Sequence, residues 1–383
     1  MIKAANRLDI VQEYYFSKKL REVGDLIKSG KPIINMGIGS PDMFPSKSVI
    51  DTLKNSLSDQ TSHKYQSYEG LIELRDAISK FYLRYFNVET NPNNEVLPLM
   101  GSKEGIMHVS MAFLNTGDEV LIPNPGYPTY SSVTRLVEAN PVFYDLKKEN
   151  NWFPDLNDLE KINLSRVKIM WINYPHMPTG LSASFNQLND LVQFTKKHKI
   201  LLINDNPYSF ILNQDFLSLL SINGAKENCM ELNSLSKAFN LSGWRVGMLL
   251  GSSNNISRVL KIKSNIDSGM FYGIQKGAIQ ALNLENNWFK DLNLTYERRR
   301  NLVWKLATIL NCKYETNTSG LFVWAKLPEG FTNSKEFINK ILVEKNIFVA
   351  PGIIFGSKGE GYIRFSLCVD ENKILEAINR FEL

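Results

Sequence analysis

The densest chemistry in the chain lies in one run, Asn233-Ser234-Leu235-Ser236-Lys237-Ala238-Phe239-Asn240-Leu241-Ser242-Gly243-Trp244-Arg245-Val246-Gly247. An apolar stretch ends in two hydroxyl residues and a lysine, and an arginine follows eight positions later. A lysine amine is a nucleophile once desolvated, and hydroxyls with a guanidinium fork suit a phosphate. Alone, Lys237 would read as an exposed loop lysine. The combination makes a covalent amine site beside an anion cradle the better reading.

A second group, Asn204-Asp205-Asn206-Pro207-Tyr208, ends the apolar run before it. By itself Asp205 reads as a helix cap or a metal ligand. Beside the lysine-bearing segment, Asp205 and Tyr208 meet two needs of pyridoxal phosphate. One is an acid partner that keeps the pyridine nitrogen protonated, and the other is a donor to the ring phenolate. A third group, Gly101-Ser102-Lys103-Glu104-Gly105, opens a helix directly after a strand and offers free amides at a positive dipole end. Its spacing matches neither a Walker loop nor GxGxxG, so a nucleotide is not indicated. In Asn124-Pro125-Gly126-Tyr127-Pro128, Tyr127 sits at a strand-to-helix turn, where it stacks on a flat ring or serves as a structural tyrosine.

Apolar periodicity places these residues on a recognisable frame. Strands are expected at 96–100, 119–123, 142–146, 167–173, 200–205, 230–235 and 245–250, with helices at 71–86, 104–114 and 187–198. Runs such as Lys199–Asp205, apolar until a terminal carboxylate, suit strands buried on both faces of a parallel sheet. The fold class is therefore α/β, a large, mostly parallel sheet flanked by helices, with ligands beyond the strand carboxyl ends. After about residue 284 a long helix and shorter strands at 321–325, 347–350 and 362–366 indicate a smaller α+β part, which the N-terminal arm joins. The expected division is 43–284 for the large domain, and 1–42 with 285–383 for the small one.

Composition narrows the field. With 383 residues, 44 basic against 39 acidic, the chain is long enough for two cores and only mildly basic, its charges mixed along its length. Nucleic-acid binding gets little support from that pattern. No run is apolar enough to span a bilayer and no leader pattern opens the chain, so a membrane partner is not expected. Cys229, Cys312 and Cys368 lack CxxC spacing, and the four histidines form no ligand pair. Disulfides and a metal site are thus disfavoured, and the cytoplasm is the expected compartment.

Taken together, these segments resemble the fold-type I, class I/II aminotransferases. The Gly-Ser-Lys-Glu-Gly turn is similar to the LL-diaminopimelate/aspartate aminotransferase-like branch. The resemblance runs from Gly37-Ile38-Gly39-Ser40-Pro41-Asp42 to Gly361-Tyr362-Ile363-Arg364-Phe365-Ser366. It implies Lys237 as Schiff-base lysine and proton shuttle, Asp205 at the pyridine nitrogen and Tyr208 at the ring hydroxyl. Ser102, Lys103, Ser234 and Arg245 would surround the phosphate, and Tyr127 would stack on the ring. Tyr65 matches a tyrosine that reaches the phosphate of the neighbouring subunit, which implies a homodimer with shared sites. Gly39 and Arg364 match the contacts to an amino-acid substrate and its α-carboxylate, a planar task suited to guanidinium.

Two departures stand out. Where the family writes Asn-Pro-Thr-Gly, this chain has Met177-Pro178-Thr179-Gly180, and a thioether cannot donate to the phenolate. Tyr208 is then expected to serve the phenolate alone, unless His176 compensates, and the imine should keep its proton to higher pH. Near Asp267-Ser268-Gly269-Met270-Phe271-Tyr272, aromatic residues stand where relatives often place a polar amide or a cation. That favours a neutral or apolar substrate side chain. The expected reaction is transfer of an amino group between an L-amino acid and a 2-oxo acid. C–S β-elimination is the alternative with the same cofactor, and a non-catalytic protein of this fold is a third reading.

Overall fold

The computed structural model describes residues 2–9 and 15–382. In chain order the first eight strands are β1 (Ile34–Asn35), β2 (Val96–Leu99), β3 (Glu119–Asn124), β4 (Asn140–Asp145), β5 (Val167–Ile172), β6 (Leu201–Asp205), β7 (Cys229–Ser234) and β8 (Gly247–Gly251). The rest are β9 (Lys313–Tyr314), β10 (Phe322–Lys326), β11 (Ile347–Phe348), β12 (Ala350–Pro351) and β13 (Tyr362–Ser366). Strands β2 to β8 form one seven-stranded sheet in the order β2-β8-β7-β6-β5-β3-β4. Its neighbours from β4 through β7 run parallel, and β8 lies antiparallel to both β7 and β2.

Every residue of β2, β6, β7 and β8 is buried, as strands covered on both faces require. These are the apolar runs legible in the sequence. The last strand starts later than expected, at Gly247, because Arg245 adopts φ 57° and turns the chain before the ladder begins. Helices Lys47–Ser56, Thr129–Leu136, Ser253–Lys263 and Tyr272–Leu282 are additional to those expected. They are short, and segments of that length draw their stability from packing rather than from their own periodicity.

The parallel strands deliver Asn124, Asp205 and Ser234, their last residues, to one edge of the sheet. Facing that edge is a four-stranded antiparallel sheet, β12-β13-β10-β9, which carries Arg364 on β13. Helices Asn286–Ile309, Ser334–Lys345 and Glu371–Glu382 accompany it. The N-terminal arm joins this part: β1 pairs in parallel with β11, and Phe16 stacks on Phe348 at 6.2 Å. A bidentate pair between Asp42 and Arg299, 2.6 and 2.9 Å, ties the Gly37–Asp42 segment to the long helix. Among the described residues no helix is long and apolar enough to cross a membrane.

Candidate active site

A cavity of about 440 Å³ opens beyond the strand edge, between the two sheets. Gly39, Ser102, Lys103, Tyr127, Asp205, Tyr208, Ser234, Lys237, Arg245 and Arg364 all line it, so segments scattered over the sequence converge there. Tyr65 is the exception: it is 92% exposed and does not line this chain's cavity.

One end gathers groups that suit an anion. Ser234 closes β7 and caps the short helix Leu235–Ala238, its Oγ accepting from the Ser236 amide at 3.2 Å. Gly101, with φ +86°, starts the Ser102–Phe113 helix, and a Cβ there would lie 2.2 Å from Arg245 Nη2. A Cβ on Gly247 would lie 2.6 Å from the Ser102 amide nitrogen. The two glycines let a guanidinium and the free amides of a helix N-terminus meet at one point. Arg245 is steadied by donating to the Ser242 carbonyl at 2.9 Å. Lys237 Nζ donates to the Gly39 carbonyl at 2.6 Å, and burial holds its pKa below the usual lysine range, towards the neutral amine that a nucleophile needs.

In the middle of the cavity Asp205 is buried. Its Oδ2 accepts from Tyr130 Oη at 2.9 Å, while Oδ1 has no partner among the described residues. Burial raises its pKa to about 6, opposed by the Tyr130 hydrogen bond and the nearby Lys237 charge. Tyr130 in turn lies flat against Trp171, with ring centroids 5.0 Å apart and planes 4° from parallel. Burial pushes the Tyr208 phenol well above its ordinary value, so it remains a hydrogen-bond donor.

The far end is aromatic. Arg364 is buried, with its Cζ 3.8 Å from the centre of Phe322 and 4.6 Å from that of Phe355. Nη2 donates to the Gly37 carbonyl at 2.9 Å, Nη1 meets Met177 Sδ at 3.2 Å, and Nε has no partner among the described residues. Burial draws its pKa down to about 10, which leaves it a cation at neutral pH.

Sequence reasoning missed Tyr130, Phe322 and Phe355. Ser236 lines the cavity and was visible in the Ser-x-Ser-Lys pattern; the two phenylalanines carry no local signal. His176 does not compensate for Met177. Its Nδ1 pairs with Thr179 Oγ1 at 2.8 Å, burial lowers its pKa to about 3, and its ring lies outside the cavity lining. Phe271 and Tyr272 also stay outside this chain's cavity, Tyr272 donating to Asp59 at 3.1 Å.

The donor set fits pyridoxal phosphate: a cationic cradle, an amine beside it, an unpartnered carboxylate oxygen for the pyridinium and a phenol for the ring oxygen. The comparisons agree. The model of the family described as aminotransferase class I and II matches residues 31–381. The chain is 36% identical to the LL-diaminopimelate aminotransferase of Aquifex aeolicus, covering 100% of this chain and 99% of that protein. It is 38% identical to the one from Natranaerobius thermophilus, over 99% and 98% of the two chains. Among solved structures, substrate-bound BacF from Bacillus subtilis superposes with a TM-score of 0.94 at 31% identity, covering 99% and 97%. The chain belongs to the class I and II aminotransferases and is a pyridoxal-phosphate-dependent transaminase of fold type I.

Proposed function

We propose that the chain moves the α-amino group of an L-amino acid with a neutral, apolar side chain to a 2-oxo acid, in a homodimer with shared sites. The surroundings of Arg364 carry this reading. A buried guanidinium, neutralised by no carboxylate among its contacts, faces the cavity between two phenylalanines, a thioether and a carbonyl. That is a receptor for one carboxylate, and the other cations among the described lining residues, Lys103, Lys237 and Arg245, are taken by the cofactor in this reading.

In this reading Ser102, Lys103, Ser234 and Arg245 hold the phosphate, and Tyr127 stacks on the ring. Asp205 Oδ1 pairs with the pyridine nitrogen, and Tyr208 Oη donates to the ring oxygen. Bound pyridoxal phosphate supplies the electron sink that weakens the substrate Cα–H bond. Lys237 Nζ takes the Cα proton, burial having lowered its pKa from the usual lysine range. Arg364 and the Gly39 backbone orient the substrate so that this proton faces the lysine. Residues 43–284 act as the large domain, with 1–42 and 285–383 as the small one.

Tyr65, exposed in this chain with Tyr68 and Ile72 beside it, supports the dimer: these side chains would be covered by a second copy, and Tyr65 would reach its phosphate. Three buried, unbridged cysteines support a reducing compartment, the cytoplasm. The names of the curated relatives favour a second reading, LL-diaminopimelate as donor. The visible spectrum of the loaded protein decides, with amino acids added singly. Conversion by apolar or aromatic amino acids, reversed by a 2-oxo acid, is the expected result. Conversion by diaminopimelate alone supports the second reading, and no conversion by any amino acid refutes both.

A further inference from the structure

On the face of the large sheet away from Tyr130 lies a buried carboxylate that the chemistry above does not use. Glu231 stands on β7, fully buried and side by side with Asn204 on β6. Its Oε1 accepts from Tyr82 Oη at 3.1 Å and from Asn206 Nδ2 at 3.3 Å. Its Oε2 accepts from the Leu219 amide at 2.8 Å and from Asn204 Nδ2 at 3.3 Å. Each of these partners donates, and none is a cation. Burial raises the pKa of Glu231, and the hydrogen bonds from Leu219, Asn204 and Asn206 oppose that rise.

Burying a carboxylate without a counter-charge costs stability, and a well-packed apolar group would cost less. What Glu231 does hold is the end of β6. The sheet separates two apolar cores: Leu202 and Tyr82 belong to one, and Ile203, Tyr130 and Trp171 to the other. Successive side chains along a strand alternate between faces. Asn204 and Asn206 therefore turn to Glu231, while Asp205 between them turns to Tyr130 and the cavity. Asn204 also accepts from the Tyr174 amide at 2.9 Å and donates to the Tyr174 carbonyl at 3.3 Å. The residue before that tyrosine, Asn173, donates to the Asp205 carbonyl. Among the described residues no buried side-chain polar atom of Tyr82, Asn204, Asn206 or Glu231 lacks a partner, whereas Asp205 Oδ1 does.

We propose that Glu231 is a positioning residue for Asp205. It grips the residues on either side from the opposite face of the sheet, and so fixes the direction of the carboxylate that meets the cofactor. A ligand gains most from a partner aimed before it arrives, and aiming requires an outer set of contacts. The proposal rests on the assignment of Asp205 to the pyridine nitrogen.

The test uses pyridoxal phosphate and an analogue with carbon in place of the pyridine nitrogen, each titrated into the cofactor-free protein by calorimetry. Tighter binding of pyridoxal phosphate by wild type, lost in Asp205→Ala, establishes the Asp205 contact independently of Glu231. Equal binding of the two forms by wild type, or a preference that survives in Asp205→Ala, removes that assignment and the proposal with it. Glu231→Gln keeps the shape but sets an amide against donors. It should weaken pyridoxal phosphate about 10- to 100-fold and leave the analogue within about twofold, the range in which outer partners that orient binding groups act. Should that variant fail to fold, Tyr82→Phe, which deletes one donor to Glu231, should give the same selective loss at about fivefold, the worth of one hydrogen bond. A role in folding alone would weaken both forms equally. That result, or unchanged affinity for pyridoxal phosphate in a folded variant, overturns the proposal.

Discussion

The two ends of the cavity are built by opposite means. The phosphate end is made of backbone: glycines at 101 and 247 let a helix terminus, a strand end and Arg245 approach to distances that any Cβ would forbid. The carboxylate end is made of side chains: Arg364 stands between Phe322 and Phe355, with Met177 at its edge. The first kind of site is set by the path of the chain, because close approach at Gly101 and Gly247 decides where Arg245 and the helix terminus meet. The second is tuned by its neighbours, since a guanidinium between rings exchanges partners when they change. Cofactor binding is therefore the conservative property of this molecule, and substrate choice the adjustable one.

Removing Arg364 should separate the ends most clearly. Arg364→Ala is expected to lower kcat/KM for the amino donor about 10³-fold, as loss of a desolvated charge contact does. Cofactor affinity should stay nearly unchanged; a parallel fall in that affinity would mean the ends are not separable.

Asp205, between them, should reveal itself in the cofactor-free protein. Burial raises its carboxyl from 3.8 to about 6, so the native state binds that proton more tightly than the unfolded chain does. Stability must then fall as pH rises through that window, and the loss persists above it. Asp205→Asn should remove the slope and stabilise the cofactor-free protein at pH 8 by up to about 3 kcal/mol, at 1.36 kcal/mol per pKa unit. Melting curves at pH 4 and pH 8 measure this; identical slopes in both proteins would refute the assigned burial cost.

At the phosphate end, Gly101→Ala sets a methyl against Arg245 at a backbone angle that disfavours side chains. Its expected cost is about tenfold in cofactor affinity, the size of a local strain of 1–2 kcal/mol. A cofactor titration measures it, and wild-type affinity would show that the close approach is dispensable. The mildest change is Met177→Asn, which restores a donor beside the ring oxygen. The pH at which the bound cofactor's visible band titrates should fall by about one unit, the worth of one hydrogen bond. An unmoved band would leave Met177 a packing residue only.

The same contrast explains what the sequence discloses. The phosphate end is contiguous, so 101–105 and 233–247 display its serines, lysines, glycines and arginine in plain order. The parallel strands are legible too, because burial on both faces leaves unbroken apolar runs such as Leu201–Ile203 before Asn204 and Asp205. Tyr130 is not legible as a site residue, since its partner lies 75 positions away on β6. Phe322 and Phe355 look like ordinary core aromatics until β10 and the turn after β12 bring them to Arg364. Local chemistry is written locally, and tertiary contacts leave no such trace.

The flat packing of Tyr130 on Trp171 has a last consequence. A carboxylate on a free side chain would have to give up its rotation when a ligand arrives, a cost set against affinity. Here one oxygen of Asp205 is held by a buried phenol whose ring stacks parallel to an indole, which restricts its rotation. The other oxygen therefore points in one direction before any ligand enters. The entropy of aiming it is spent once, when the protein folds, and is not charged again at each binding event.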